Sequence, residues 1–286
     1  MSPSEISPTR PGGLTPEAVA QYHSAGFFYP WPVLSRAEVN ALRGKLEAHE
    51  QATGHPLAGH QRHKAHLLFP WFWDLIFHPR IVDAVEDLLG PNLLCWSTSF
   101  FVKEAHDPSF VSWHQDATYW GLSQPDVVTA WLALSPNTVA SGAMRVMPGS
   151  HHTQIAHRDT FDTHNLLTRG QEVTVAVDAA KAVDLVLAPG EISLHHVLLV
   201  YGSEPNQSDD RRIGFAIRYV PTYVRQVAGA RDSAVLVRGV DAYHHFEAEQ
   251  PPAYDFAPEA IAHHRAVTGA QAQTLYRGTG KQDFRP

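Results

Sequence analysis

The first ninety residues carry apolar positions at helical spacing, broken by clear start and stop signals. Thr15-Pro16-Glu17 supplies an N-cap with proline at the first helical position, and Ser35-Arg36-Ala37-Glu38 is a capping box opening a second helix toward His49. Between them lies a short apolar segment, FFYPWP. A third helix is predicted over residues 79–89, with Val82, Val85, Leu88 and Leu89 on one face and Gly90 as its stop.

From Leu93 the texture changes. LLCWSTSFFVK, FVSWHQD, VVTAWLAL, AMRVMP, VTVAV, DLVLAPGEISLHHVLLVY and RRIGFAIRYVP are β-rich runs separated by Gly, Pro, Asn and Asp. Many short strands with turns between them predict a mainly β protein with flanking helices, closed as a sandwich or barrel. After about Arg238 the tail mixes Tyr, His, Phe and Pro without period. The chain therefore reads as one domain over 1–286: an arm at 1–14, a helical front at 15–92, a barrel core at 93–221, and a lid or brace at 222–286.

Composition narrows the function classes. Hydrophobic residues make up 44% and charged residues 18%, a globular balance, and no apolar run reaches the roughly 18 residues that span a bilayer. The first residues carry no apolar signal-peptide core, so a cytoplasmic protein is expected. A net charge of -7 without a Lys/Arg cluster argues against nucleic acid or anionic lipid as the main partner. Cys95 is the only cysteine, which excludes an intrachain disulfide and a thiolate zinc site, so any metal must use His, Asp, Glu or Tyr.

In a strand, residues i and i+2 point to the same side. His114-Gln115-Asp116 thus sets an imidazole beside a carboxylate, two corners of the two-histidine, one-carboxylate triad of non-haem iron sites. With 19 histidines in the chain, about two His-x-Asp/Glu matches arise by chance. Three occur. His114/Asp116 follows the apolar strand FVSW and precedes the aromatic turn ATYWGL, the setting of a pocket mouth; His157/Asp159 lies in a polar stretch that reads as a solvated loop, and His245/Glu247 in the tail, facing water.

WHQDATYW (113–120), TAWLAL (129–134), MPGSHH (147–152) and YGSEPNQSDDRRIGFAIRY (201–219), in this order, resemble the phytanoyl-CoA dioxygenase family of Fe(II)/2-oxoglutarate oxygenases. The resemblance runs from about Val102 to Pro221 and implies a double-stranded β-helix, a jelly-roll barrel with iron in its mouth. It implies Fe(II), 2-oxoglutarate and O2 as cofactor and cosubstrates, and hydroxylation of an unactivated C–H bond of a small-molecule substrate. His114 and Asp116 match the family's first two iron ligands. Arg212 matches the arginine that clamps the distal carboxylate of 2-oxoglutarate, for which a planar guanidinium is suited, and Ser203 the hydroxyl beside it.

By the same resemblance Trp131 lines the cosubstrate pocket, although a strand tryptophan is core by default. Trp120, Tyr119 and Phe101 border the substrate, with packing of the barrel rim as the alternative. Lys103 ends a strand aimed at the mouth and could pair with an anionic cosubstrate, but reads first as an exposed strand-end lysine. Arg211 alternates to the other face as a surface charge. Asp116 speaks against the halogenating relatives, which carry a small residue there.

One position departs from the pattern. The residue before the Gly-Ser turn, the family's third iron ligand, is Tyr201 rather than histidine. Three readings stay open. Tyr201 ligates as a phenolate, which would favour a ferric resting state; or it does not ligate, and water or His195 fills the corner of a weakened site; or the chain is a non-catalytic barrel that binds 2-oxoglutarate or metal. Since GSEPN and Arg212 are kept around it, a single change in an otherwise intact oxygenase site is the preferred reading.

Overall fold

The structure, a computed structural model, describes residues 12–57, 59–281 and Phe284. Its elements in chain order are α1 (Pro16–Ala25), β1 (Phe27–Pro32), α2 (Arg36–Thr53), α3 (Pro70–Ile76), α4 (Pro79–Leu89), β2 (Leu93–Lys103), β3 (Val111–His114), β4 (Val128–Ala133), β5 (Met144–Val146), β6 (His157–Asp159), β7 (Gln171–Val173), β8 (Val183–Leu185), β9 (Glu191–His196), β10 (Tyr201–Ser203), β11 (Arg212–Pro221), β12 (Ser233–Arg238), β13 (Glu247–Ala248) and α5 (Pro258–Leu275).

The start signals act as expected. Thr15 accepts the Ala18 N–H at the head of α1, and Ser35 and Glu38 close a reciprocal capping box on α2. The FFYPWP segment, however, forms β1, an edge strand antiparallel to β9. Its two prolines, which cannot donate to a ladder, are tolerated at a sheet edge. Of the arm expected over 1–14, residues 1–11 lie outside the described residues; Leu14 is buried and donates its N–H to Asp87.

Two sheets make the jelly roll. The larger runs β1-β9-β4-β11-β2-β12-β13 and the smaller β3-β10-β5-β8, with β6-β7 as a separate ribbon. β11, hydrogen-bonded to β4 on one side and β2 on the other, is buried along its whole length. Its odd-numbered side chains, Ile213, Phe215, Ile217 and Tyr219, join Phe72, Ile81, Val82 and Val85 in the core between the sheet and helices α3 and α4. Phe72 stacks on Phe215 at 4.4 Å, and Tyr219 donates its hydroxyl to the Ile76 carbonyl at 2.9 Å. By strand alternation, the even-numbered residues Arg212, Gly214, Ala216 and Arg218 turn to the barrel interior.

The tail does more than cover the barrel. β12 extends the large sheet beside β2. Beneath it Lys64 is completely buried, its ammonium 2.5 Å from Glu249 and 3.6 Å from Asp232, while His66 meets the other Glu249 oxygen at 2.8 Å. This ionic cluster ties the 59–68 segment to the tail.

Candidate functional site

The turn that carries the His-x-Asp pair is held by its middle residue. Gln115 is fully buried, donates to the carbonyls of Thr153 and Leu198, and accepts from the Ile155 N–H. Its own N–H goes to His157 Nε2 at 2.8 Å, and Tyr119 donates to Asp159 at 2.9 Å, with Arg169 pairing the same carboxylate. His157 and Asp159 are therefore braces of the site rather than a solvated loop. The cause is the β6-β7 ribbon, which folds back over the turn.

On that turn His114 Nδ1 lies 2.8 Å from the Ser112 carbonyl, which fixes the ring and leaves Nε2 free to face Asp116 at 3.3 Å. Both residues are buried, and His114 Nε2 and Asp116 Oδ2 have no hydrogen-bond partner among the described residues. Burial pushes the Asp116 carboxyl up, but the His114 imidazole 3.3 Å away and the charge of Arg218 outweigh it and hold the group below its usual range. An imidazole nitrogen and a carboxylate oxygen, buried, adjacent and unpartnered, are a donor pair that fits a metal ion.

Tyr201 stands directly across from His114 in the β10-β3 ladder, with ring centroids 4.3 Å apart. Its phenol is buried, and burial first and Asp116 second raise its pKa well above the ordinary value. His195 lies on the other side of Tyr201, 5.2 Å between centroids, held neutral with a pKa lowered by burial to about 4. Among the described residues no three of His, Cys, Asp or Glu gather as a metal-binding group, so His195 does not complete a triad with His114 and Asp116. Its neighbour His196 accepts from the Leu198 N–H and packs against Tyr22 and His151, away from the site.

Behind Tyr201 a narrow pocket opens between the two sheets, lined by Trp131, His195, Tyr201, Ser203, Arg212 and Arg218 among others. Arg212 is buried, burial lowering its pKa to about 10, and it has no carboxylate partner among the described residues. It donates to the Gly142 carbonyl and sits over the Trp131 indole at 5.5 Å. A Cβ on Gly214 would overlap that indole, so the glycine is what lets Trp131 reach beneath the arginine. Trp131 is thus both buried and pocket-lining.

Lys103 corrects the expectation of an exposed strand end. It is fully buried, and its ammonium donates to Ser203 Oγ at 2.7 Å and to the Glu204 carbonyl. The register sets it opposite Arg212, and the loop after β10 folds over it. Burial first and the Arg212 charge second lower its pKa to about 6. Lys103 itself does not line the pocket; it steadies Ser203, which does. Arg211, on the opposite face as expected, pairs with Glu50 and Glu104.

A second pocket, partly open to solvent, meets the first at Phe101 and Arg218. Asp116, Tyr119, Trp120, Trp96, Leu166, Leu167 and His63 line it, and Gln271, Thr274 and Leu275 of α5 roof it. The three aromatic residues expected near substrate, Trp120, Tyr119 and Phe101, are all in its wall. Arg218 and α5 were not foreseen. Arg218 was signalled by simple alternation from Arg212, whereas nothing in the irregular tail announces where its helix docks.

A family model, phytanoyl-CoA dioxygenase, matches residues 22–214. The chain belongs to the phytanoyl-CoA dioxygenase family. Among its relatives, a probable alpha-ketoglutarate-dependent hypophosphite dioxygenase of Stutzerimonas stutzeri is 30% identical over 54% of this chain and 54% of its own length. Ectoine dioxygenase of Streptomyces avermitilis is 26% identical over 51% of this chain and 55% of its own. The chain thus spans about half the length of the curated relatives it matches.

Solved structures align further. The non-heme monooxygenase ThoJ superposes with a TM-score of 0.80 and 35% identity over 90% of this chain and 97% of its own. CytC3 with Fe(II) and alpha-ketoglutarate gives 0.66 and 25% identity over 87% and 98%. The jelly-roll architecture is common to the family. Among the described residues, no helix is long and apolar enough to cross a membrane.

Proposed function

We propose that this chain is an Fe(II)- and 2-oxoglutarate-dependent dioxygenase that hydroxylates an unactivated C–H bond of a small metabolite. The observation that carries the reading is Arg212, a buried guanidinium with no carboxylate partner among the described residues, sharing a pocket with Tyr201 at the edge of the unpartnered His114/Asp116 pair. A dicarboxylate answers both ends of that pocket. Arg212 and Ser203 would hold its distal carboxylate beside Trp131, leaving its keto-acid end for the metal. The relatives whose names specify alpha-ketoglutarate support the same cosubstrate.

His114 Nε2 and Asp116 would hold the iron, which when bound would activate O2, the oxidant, so that one oxygen atom goes to convert 2-oxoglutarate to succinate and CO2 and the other to hydroxylate the substrate. The chain supplies the rest. Gln115, His157 and Asp159 keep the two donors in place, Lys103 orients Ser203 toward the cosubstrate, and Trp120, Tyr119 and Phe101 form a water-poor wall for substrate. Tyr201 occupies the third corner as a buried neutral phenol beside Asp116. Adding a phenolate to the Asp116 carboxylate and a dianionic cosubstrate would crowd negative charge into a buried site, so this reading keeps Tyr201 protonated and off the metal.

A second reading, a barrel that binds 2-oxoglutarate or metal without turnover, rests on Tyr201 alone. The two are separated by succinate formation with Fe(II) and 2-oxoglutarate, in the unaltered chain and in Tyr201→His. Succinate that rises on substitution supports the oxygenase with a weakened corner. No succinate from either, with 2-oxoglutarate still bound, supports the non-catalytic barrel.

A further inference from the structure

Resting on the oxygenase reading above, we infer that Arg218 is the anchor for an anionic group of the substrate, so that the substrate is a small carboxylate with an apolar body. β11 carries four residues into the barrel interior: Arg212, Gly214, Ala216 and Arg218. Gly214 gives its room to the Trp131 indole, and the two cations, whose Cα atoms lie roughly 20 Å apart along the strand, stand at the two ends of this face. Arg212 serves the cosubstrate. Both carboxylates of that molecule are then accounted for, one at Arg212 and one at the metal corner, and Arg218 is left over.

Arg218 is buried, and among the described residues it has no carboxylate within ion-pair distance. Its Nη1 donates to Ser99 Oγ at 2.8 Å, its guanidinium lies 5.0 Å over the Trp120 ring, and its Nε has no partner. It faces the larger pocket on the side of Asp116, where the reacting carbon must sit. A cation buried in this way without a counter-ion is costly, and a ligand carboxylate relieves that cost with a charge-assisted hydrogen bond.

Of the other titratable groups of that wall, Asp116 feels the Arg218 charge without pairing with it and is committed to the metal in this reading, and the rest offer neither a rival cation nor a free counter-ion. His63 is neutral, burial lowering its pKa to about 3. Asp232 already receives Trp96 Nε1 at 2.7 Å, Gln271 at 2.9 Å and the Ser233 N–H, with Lys64 at 3.6 Å. Much of the remaining wall is apolar and aromatic, with Trp96 and Trp120 centroids 5.0 Å apart and Phe101, Leu166, Leu167 and Leu275 beside them, interrupted by polar side chains such as Gln171, Gln226 and Thr274. Carboxylate recognition at one point and a mainly apolar surround define the substrate class.

The test uses 3-phenylpropionate and its neutral twin 3-phenylpropionamide as probes, titrated calorimetrically into the full chain loaded anaerobically with Fe(II) and saturating 2-oxoglutarate, which occupies Arg212. The carboxylate is expected to bind at least about ten-fold tighter than the amide, the scale of a charge-assisted hydrogen bond. Arg218→Gln should abolish the preference, while Arg218→Lys should keep part of it, each variant being held saturated at a 2-oxoglutarate concentration set by its own titration. Equal binding of the two probes, binding of neither, or a preference that survives Arg218→Gln each overturns the inference. The ratio in the unaltered chain decides even if Arg218→Gln fails to fold. Should the unaltered chain not bind 2-oxoglutarate at all, the oxygenase reading falls, and the same probes in Arg212→Gln without cosubstrate still read Arg218.

Discussion

Arg212 and Gly214 form a functional pair on one face of β11. The arginine presents its fork to a carboxylate only because Trp131 lies beneath it, and Trp131 fits only because residue 214 has no Cβ. Arg212→Gln should therefore weaken 2-oxoglutarate binding by about 10- to 100-fold, measured calorimetrically, with little change in melting temperature. Gly214→Ala should weaken it too, by displacing the indole rather than by touching the ligand; unchanged affinity there would mean Trp131 has no part in the pocket. His114 and Asp116 are legible in the sequence by strand parity, and Ser203 and Arg212 through the resemblance of the segment that follows Tyr201. Lys103 is not. An exposed strand end is the default for lysine, and only the fold shows the loop after β10 closing over it.

At the scale of elements, alternation along a strand was the strongest signal and was under-used. It separates Arg211 from Arg212, and carried six residues further it reaches Arg218. The periodic helices are legible from their caps, whereas β1 and β12 are not: one is short and proline-bearing, the other falls in the segment read as lid or brace rather than barrel, and both are defined by long-range pairing. The tail is fastened by Glu249, whose carboxyl is pushed up by burial but pulled down further by Lys64 and His66, to about 2. Because that folded value lies below the ordinary 4.5, its stabilisation is complete above about pH 4.5 and is lost as pH falls toward 2. Glu249→Gln should cost about 3 kcal/mol in urea unfolding at pH 7, since it leaves the buried Lys64 with only the more distant Asp232, at 3.6 Å, as counter-ion. The variant should also show a flatter acid limb. A loss below about 1 kcal/mol would mean the cluster is not what holds the tail.

At the scale of the whole molecule, the two sheets enclose one continuous interior with two compartments that meet at Phe101 and Arg218, under a roof contributed by α5. The architecture and the order of its motifs place the chain in its family, and the cation at each compartment gives it a division of labour. Tyr201 is the one residue that breaks the donor set, and replacing it with histidine should raise succinate production, read by coupled turnover under saturating 2-oxoglutarate. The central claim, that His114 and Asp116 hold iron next to a 2-oxoglutarate clamped by Arg212, is tested most directly by the visible spectrum of the anaerobic chain on adding Fe(II) and 2-oxoglutarate. The account predicts a weak charge-transfer band, present in the unaltered chain, stronger in Tyr201→His, and absent from Asp116→Ala. No band in the unaltered chain, or an intense phenolate band from Tyr201, would contradict it.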